Sequence, residues 1–121
     1  MIEEPLARSA VLGVLQELIH RPSVNPTLSP QEGHGEAAVA AFAMNWLVRN
    51  SVTSSLEEVA LGRPNVIGQV GKRSGPTLVF CAHLDTVGTD GMTIPPFEAT
   101  VDGNRVYGRG SYDMRVAPQP L

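Results

Sequence analysis

Apolar residues recur at helical spacing in the first fifty positions of the chain. The spacing predicts one helix over 6–19, ending near His20 or Arg21 because Pro22 disfavours helical geometry before it, and a second over 36–50. The predicted core-facing positions are Val11, Leu12, Leu15, Leu18 and Ile19 in the first helix and Val39, Phe42, Ala43, Trp46 and Leu47 in the second. Between them, 22–35 is rich in proline and glycine, and a loop of this length suggests that it lines a site.

After position 50 the pattern changes to that of strands. Residues 54–61 predict an exposed or edge strand, 65–70 a second strand, and 97–108 a hairpin turning at Asp102-Gly103-Asn104. The run TLVFCAHL, 77–84, is almost continuously apolar, which predicts a strand buried on both faces, as in a parallel or mixed sheet. We therefore predict an α/β fold, a partial mixed or parallel sheet with flanking helices.

Composition narrows the range of partners. The 121 residues include 9 basic and 12 acidic ones, and the net charge is −3. The basic residues are dispersed, so we expect no binding to nucleic acid or to a membrane surface. The single cysteine, Cys81, lies in the apolar run and is expected to be buried. The first residues do not resemble a signal peptide, and no apolar run approaches the ~20 residues that are needed to span a bilayer. We therefore expect a cytoplasmic location.

His83 and Asp85 are two apart at the end of the predicted buried strand, so alternation sends both side chains to the same side. A neutral imidazole is a good ligand for zinc-like metals, and a nearby carboxylate can accept its other N–H and orient the ring. The alternative is a hydrogen-bonded histidine at a sheet edge, with Asp85 starting a turn.

Asp113 follows two glycines in YGRGSYD, and by itself fits a turn residue or a helix cap as well as a ligand. The same stretch imitates a dinucleotide-binding loop, but it follows a hairpin and has Asp113 where the last glycine should stand. His20 and His34 have no partner at ligand spacing and are expected to be structural or solvated.

Five segments in order carry a resemblance to a known family: PSVNP, GRPNV, LVFCAHLDTV, PPFEATVDGNRVYGRG and SYDM. Over about 6–115 the chain resembles the amino-terminal part of the M20 metallopeptidase family. That family includes acetylornithine deacetylase, succinyl-diaminopimelate desuccinylase, aminoacylases and carboxypeptidase-G-type enzymes. The resemblance implies a zinc-exopeptidase-like catalytic domain, of which 1–115 would be an incomplete part.

The same resemblance implies roles for three residues. His83 matches the family's first metal-binding histidine, Asp85 the catalytic-site carboxylate that supports it, and Asp113 the carboxylate that bridges two metal ions. The ions are usually zinc, with cobalt or manganese as alternatives. A cis Asp113–Met114 peptide is expected as in relatives. The implied reaction is hydrolysis of a linear amide bond by a metal-activated water, with an N-acyl amino acid or a short peptide as substrate.

The chain departs from the family pattern after Asp113. The remaining residues contain no Asp, Glu or His, whereas the family's general-base Glu and further ligands come later. The family's dimerisation domain is also absent. We expect 116–121 to be a divergent tail, and one base missing near codon 115 would place it out of frame.

These departures define two competing functional hypotheses. In the first, the chain is part of a two-metal amide hydrolase, inactive by itself; relatives are often homodimers, and this chain is expected to self-associate. In the second, it is a non-catalytic remnant or a binding module of the same half-fold.

Overall fold

The computed structural model describes residues 7–115, which contain two helices and two small sheets. Helix α1 spans Arg8–Ile19 and helix α2 spans Ala37–Arg49. Both predicted helices are confirmed, and α1 ends at Ile19 with His20 as its C-cap, two residues before Pro22. Position 6, where the first helix was predicted to begin, and the predicted tail 116–121 lie outside the described residues.

Each sheet is a two-stranded antiparallel hairpin. Strands β1 (Thr53–Ala60) and β2 (Arg63–Gln69) pair from Thr53 opposite Gln69 to Ala60 opposite Arg63. Strands β3 (Thr100–Asp102) and β4 (Arg105–Tyr107) form the hairpin predicted at 97–108. Its two-residue turn begins at Gly103, whose φ of +57° suits a residue without a side chain.

The predicted buried strand at 77–84 is wrong. The segment belongs to no strand, and residues 77–83 make no backbone–backbone hydrogen bond to any described residue. Leu78, Val79 and Phe80 are 79%, 77% and 89% exposed. Cys81, expected to be buried, is exposed for the same reason: no described strand lies beside the segment to cover it.

The described residues do not form the expected mixed or parallel sheet and contain two small two-stranded sheets instead. Within 7–115 the sheets are antiparallel, and the parallel pairing is confined to a single bridge between Val24 and Thr86. The chain is thus mixed α and β, with α2 packed on the β1–β2 hairpin.

A small cluster of buried residues lies between α1 and the second hairpin. Ile19 is completely buried, and Leu15, Ala99 and the partly buried Val106 pack with it. Val24 and Ser23 are also fully buried, next to the bridge. No helix within 7–115 has the length and apolarity needed to cross a membrane.

Candidate functional site

The proline-containing loop after α1 positions the segment that carries His83 and Asp85. Thr86 donates its backbone N–H to the Ser23 carbonyl at 3.0 Å, and Asn25 donates its own to the Thr86 carbonyl at 2.9 Å. The buried Ser23 hydroxyl also donates to the Leu84 carbonyl at 2.7 Å. These bonds hold the carboxyl-terminal end of the segment that contains His83 and Asp85. Residues 77–83 make no backbone–backbone hydrogen bond to any described residue.

His83 and Asp85 lie together, although the strand from which their alternation was predicted is not formed. The Nδ1–H of His83 donates to the backbone oxygen of Asp85 at 3.0 Å, and the Asp85 Oδ1 atom is 3.3 Å from the same nitrogen. The ring is about half exposed, and the Asp85 side chain is 27% exposed. Nδ1 is therefore engaged, and Nε2 is the nitrogen turned toward other groups.

Asp113 reaches His83 from the opposite side. Its Oδ1 atom accepts a hydrogen bond from Nε2 of His83 at 3.1 Å. The turn that delivers it uses Gly110, with φ at +79°, and is closed by a hydrogen bond from the Arg115 N–H to the Gly110 carbonyl at 2.9 Å. The Asp113–Met114 peptide is cis, as expected from the resemblance.

Arg115 anchors this turn to the loop after α1. Its Nη2 donates to the Arg21 carbonyl at 3.2 Å and to the Ser23 hydroxyl. Desolvation of the guanidinium by burial lowers the pKa of Arg115 to about 10, so the group remains protonated near neutral pH. The turn carrying Asp113 and the segment carrying His83 are thus tied to the same buried serine, Ser23.

Three influences act on the pKa of His83. Partial burial lowers it, whereas the hydrogen bonds to the Asp85 backbone and to the Asp113 carboxylate, with the charges of both residues, raise it; the net direction is upward. The protonated ring donates from both nitrogens. A metal ion at Nε2 would have to displace that proton, so metal binding and protonation compete.

The donor atoms fit part of a divalent metal site. Nε2 and Oδ1 are 3.1 Å apart, close to the about 3.3 Å that separates two ligands of one tetrahedral zinc ion. Imidazole nitrogen and carboxylate oxygen are also ligands that zinc accepts. Within the described residues, however, no group of three or more His, Cys, Asp or Glu side chains converges to hold a metal. His83 and Asp113 therefore supply two ligands, fewer than a zinc site needs.

A cleft of about 690 Å³ opens beside the site, between α2, β2 and 80–85. His83 and Asp85 line it together with apolar side chains and one ion pair. In that pair Arg63 donates Nε to Glu36 Oε2 at 2.9 Å and Nη2 to Oε1 at 2.6 Å. The bidentate contact ties the start of α2 to β2 and gives the cleft a polar wall next to its apolar surface.

Two other histidines, His20 and His34, lie apart from this group and are both exposed. His20 contacts the Glu98 carbonyl through Nε2 at 3.2 Å. His34 packs edge-on against Phe97.

Asn25 contacts the site, although its segment PSVNP was part of the family resemblance only and no role was predicted for Asn25. Its Nδ2 donates to Asp85 Oδ2 at 2.7 Å, across 60 residues of sequence. An asparagine between two prolines is typical of a turn, so the available signal was the position of a polar side chain in a loop suspected of lining a site.

Comparison with known proteins gives a consistent set of relatives. The chain is 34% identical over 111 residues to succinyl-diaminopimelate desuccinylase of Gluconacetobacter diazotrophicus. It is similar to desuccinylases. The probable succinyl-diaminopimelate desuccinylases of Staphylococcus aureus and Staphylococcus epidermidis are each 30% identical to it over 87 residues. No family model matches the chain.

The matches cover most of this chain but only a small part of each relative. The first match takes in 90% of this chain and 27% of the relative, and the two staphylococcal matches take in 69% of this chain and 22% or 21% of the relative. The chain therefore spans about a quarter of the length of the curated relatives it matches.

Proposed function

We propose that this chain is part of an M20-type metal-dependent hydrolase that cleaves a linear amide bond. The observation that carries the proposal is the convergence of His83 Nε2 and Asp113 Oδ1 at 3.1 Å, with Asp85 against the other ring nitrogen. The desuccinylase relatives support it, because their names describe removal of a succinyl group from succinyl-diaminopimelate. On that basis the substrate is an N-acyl amino acid or a short peptide, with an N-succinyl amino acid as the first to test.

Each residue has a distinct part in this proposal. His83 offers Nε2 to a divalent metal ion, zinc by preference and cobalt or manganese as alternatives, and Asp113 offers a carboxylate that would bridge two such ions. Asp85 accepts from Nδ1, which keeps the lone pair of Nε2 directed toward the metal. Two bound ions would polarise the amide carbonyl and acidify a water molecule.

The incomplete donor set leads to the expectation that this chain has no turnover alone. Two ligands hold zinc weakly compared with the three or four of a complete site. The cleft beside His83 is open and of a volume that suits a small substrate, but the family resemblance puts the general-base Glu after Asp113, where this sequence has no Glu.

A zinc titration of the full chain, followed by NMR signals of the histidine rings, tests the proposal. We expect the His83 signals to move first, with weak affinity, and His83→Ala to abolish the binding. Asp113→Asn should weaken it by about tenfold, because one charged ligand becomes neutral. The matched control is His34→Ala, which removes an exposed imidazole away from Asp113. Binding that survives His83→Ala unchanged would refute the metal role.

The lack of a three-ligand group in the described residues favours a second candidate, a non-catalytic half-fold that binds a partner. The two candidates differ at His83, because only the first requires zinc at Nε2. Unchanged His83 signals at millimolar zinc would support the second candidate.

A further inference from the structure

Asn25 lies in the loop after α1 and contacts the Asp85 carboxylate directly, Nδ2 to Oδ2 at 2.7 Å. We infer that Asn25 is a positioning residue, which holds this carboxylate in the orientation that places its other oxygen against His83. The inference rests on the proposed function, since it concerns the residue that supports the metal-binding imidazole.

The orientation of the Asn25 amide follows from its other contacts. Its Oδ1 accepts the backbone N–H of Thr27 at 2.8 Å and lies 3.3 Å from that of Leu28, closing the turn that begins at Asn25. An oxygen that accepts two backbone donors leaves the NH₂ group on the other side, toward Asp85. The amide therefore acts in two directions, as the acceptor of a local turn and as the donor of a contact across 60 residues.

The backbone of Asn25 is held rigidly relative to Asp85. Asn25 donates its N–H to the carbonyl of Thr86, the residue after Asp85, and Thr86 donates back to Ser23. Val24, between the two bonded residues, is completely buried. A short side chain on so firmly placed a backbone loses little freedom when it donates its hydrogen bond, which makes it suited to positioning.

The consequence for His83 comes through the two oxygens of one carboxylate. With Oδ2 held by Asn25, Oδ1 lies 3.3 Å from Nδ1 of His83. Without the amide donor the Asp85 carboxylate is free to rotate toward solvent or toward Arg63, whose positive charge interacts with the negative charge of Asp85. The ring would keep its bond to the Asp85 backbone but lose the carboxylate contact that favours binding of a cation at Nε2.

A double-substitution cycle on the full chain tests whether Asn25 acts through Asp85. Zinc affinity is measured for the unsubstituted chain, Asn25→Ala, Asp85→Ala and the double variant. We expect Asn25→Ala to weaken zinc binding about threefold to tenfold, less than the 10–100-fold typical of removing a direct support of a ligand. In the Asp85→Ala background the same change should have no further effect. Equal effects in both backgrounds, or none in the first, would overturn the inference.

Two further variants separate positioning from folding. Asn25→Asp keeps an oxygen that accepts from Thr27 but places a like charge next to Asp85, so the turn should persist while the Asp85 carboxylate is repelled and zinc affinity falls. Asn45→Asp makes the same change on α2, where Asn45 lines a different groove, and should leave zinc affinity unaltered. If Asn25→Asp binds zinc as well as the unsubstituted chain does, Asn25 has only a structural role.

A readout without metal keeps the two proposals distinguishable. The Nδ1 NMR signal of His83 at constant pH should shift in Asn25→Ala, and should not shift further when that change is added to Asp85→Ala. If zinc leaves the His83 signals of the unsubstituted chain unchanged, the metal role is refuted. The Nδ1 signal of His83 would still report whether Asn25 affects the environment of His83. An Nδ1 signal unmoved by Asn25→Ala would refute the positioning role.

Discussion

At the scale of single residues, the site depends on close approaches that leave no room for additional atoms. Gly110 is buried, and a Cβ built on it would lie 2.8 Å from both Arg115 Nε and Thr86 Cγ2. Its φ of +79° also disfavours any other residue. The turn that carries Asp113 can therefore pack against Thr86 only because position 110 has no side chain.

Gly110→Ala should destabilise the chain by about 1–3 kcal/mol, because strain at positive φ adds to the clash with Thr86. Thermal unfolding followed by circular dichroism measures the effect. The control is Gly13→Ala within α1, where a Cβ meets nothing within 4 Å and alanine should stabilise by about 0.5–1 kcal/mol. A Gly110→Ala chain as stable as the unsubstituted one would contradict the packing described for this turn.

The proximity of His83 and Asp85 could be expected from sequence because two residues of an extended chain separate them by a short distance. The Asp85 Oδ1 atom lies 3.3 Å from His83 Nδ1, although the strand on which the predicted alternation rested is not formed. Asp113 could be placed with them only through the family resemblance, because its 30-residue separation from His83 leaves no periodic signal. The contact of Asn25 with Asp85 depends on the bridge between two loops, which no pattern of apolar residues encodes.

At the scale of elements, the sequence predicted those that are stabilised by their own residues or by their immediate neighbours. Both helices, strands β1 and β2 and the second hairpin belong to this class, since a turn such as the one at Gly103 brings its strands together directly. The 77–84 segment does not, because a strand needs a neighbour and no described strand pairs with it. Its apolar run therefore led to a wrong prediction, because strand-forming residues alone do not supply a partner.

The loop at 22–35 is tied to the following part of the chain by a carboxylate. Glu32 accepts the backbone N–H of Thr89 through both oxygens at 2.9 Å, and the Thr89 hydroxyl at 2.9 Å. The backbone hydrogen bond, followed by the hydroxyl and nearby positive charges, outweighs partial desolvation and lowers the pKa of Glu32 below its usual 4.5. A lowered pKa means that the ionised carboxylate stabilises the folded chain.

This contact predicts a pH-dependent stability difference. The contribution of Glu32 is fully present above its unfolded pKa near 4.5 and is lost as pH falls through the lower folded pKa. The melting temperature of Glu32→Gln should therefore lie furthest below that of the unsubstituted chain near pH 6, and the gap should narrow toward about pH 3. Glu57→Gln, on exposed β1, should melt like the unsubstituted chain throughout. A gap that widens on acidification would reverse the sign argued here.

At the scale of the whole molecule, exposed apolar surface on an unpaired segment is the dominant feature. Leu78, Val79 and Phe80 are all more than three-quarters exposed, and the backbone beside them is unpaired within the described residues. Unpaired extended backbone with apolar side chains favours association between chains. We expect the 121-residue chain to self-associate as its concentration rises.

Phe80→Lys should raise the concentration needed for association by about an order of magnitude, because burial of one phenylalanine contributes about 1.5–3 kcal/mol and the lysine adds charge repulsion. Light scattering during size-exclusion chromatography measures the change. Leu61→Lys, at an equally exposed apolar position between β1 and β2, serves as the control and should have a smaller effect. A chain that stays monomeric at every concentration would contradict the expected association. Association that both substitutions weaken equally would exclude 77–84 as its main cause.

The bridge between Val24 and Thr86 also has a kinetic consequence. Ser23 and Leu84, which bond beside it, are 61 residues apart, so the chain must close a long loop before the contact forms. Helices and hairpins require only neighbouring residues and can form on a much shorter timescale. We therefore expect the grouping of Asn25, Asp85 and His83 to form late in folding, and hydrogen exchange at Asn25 and Thr86 should report its opening separately from the helices.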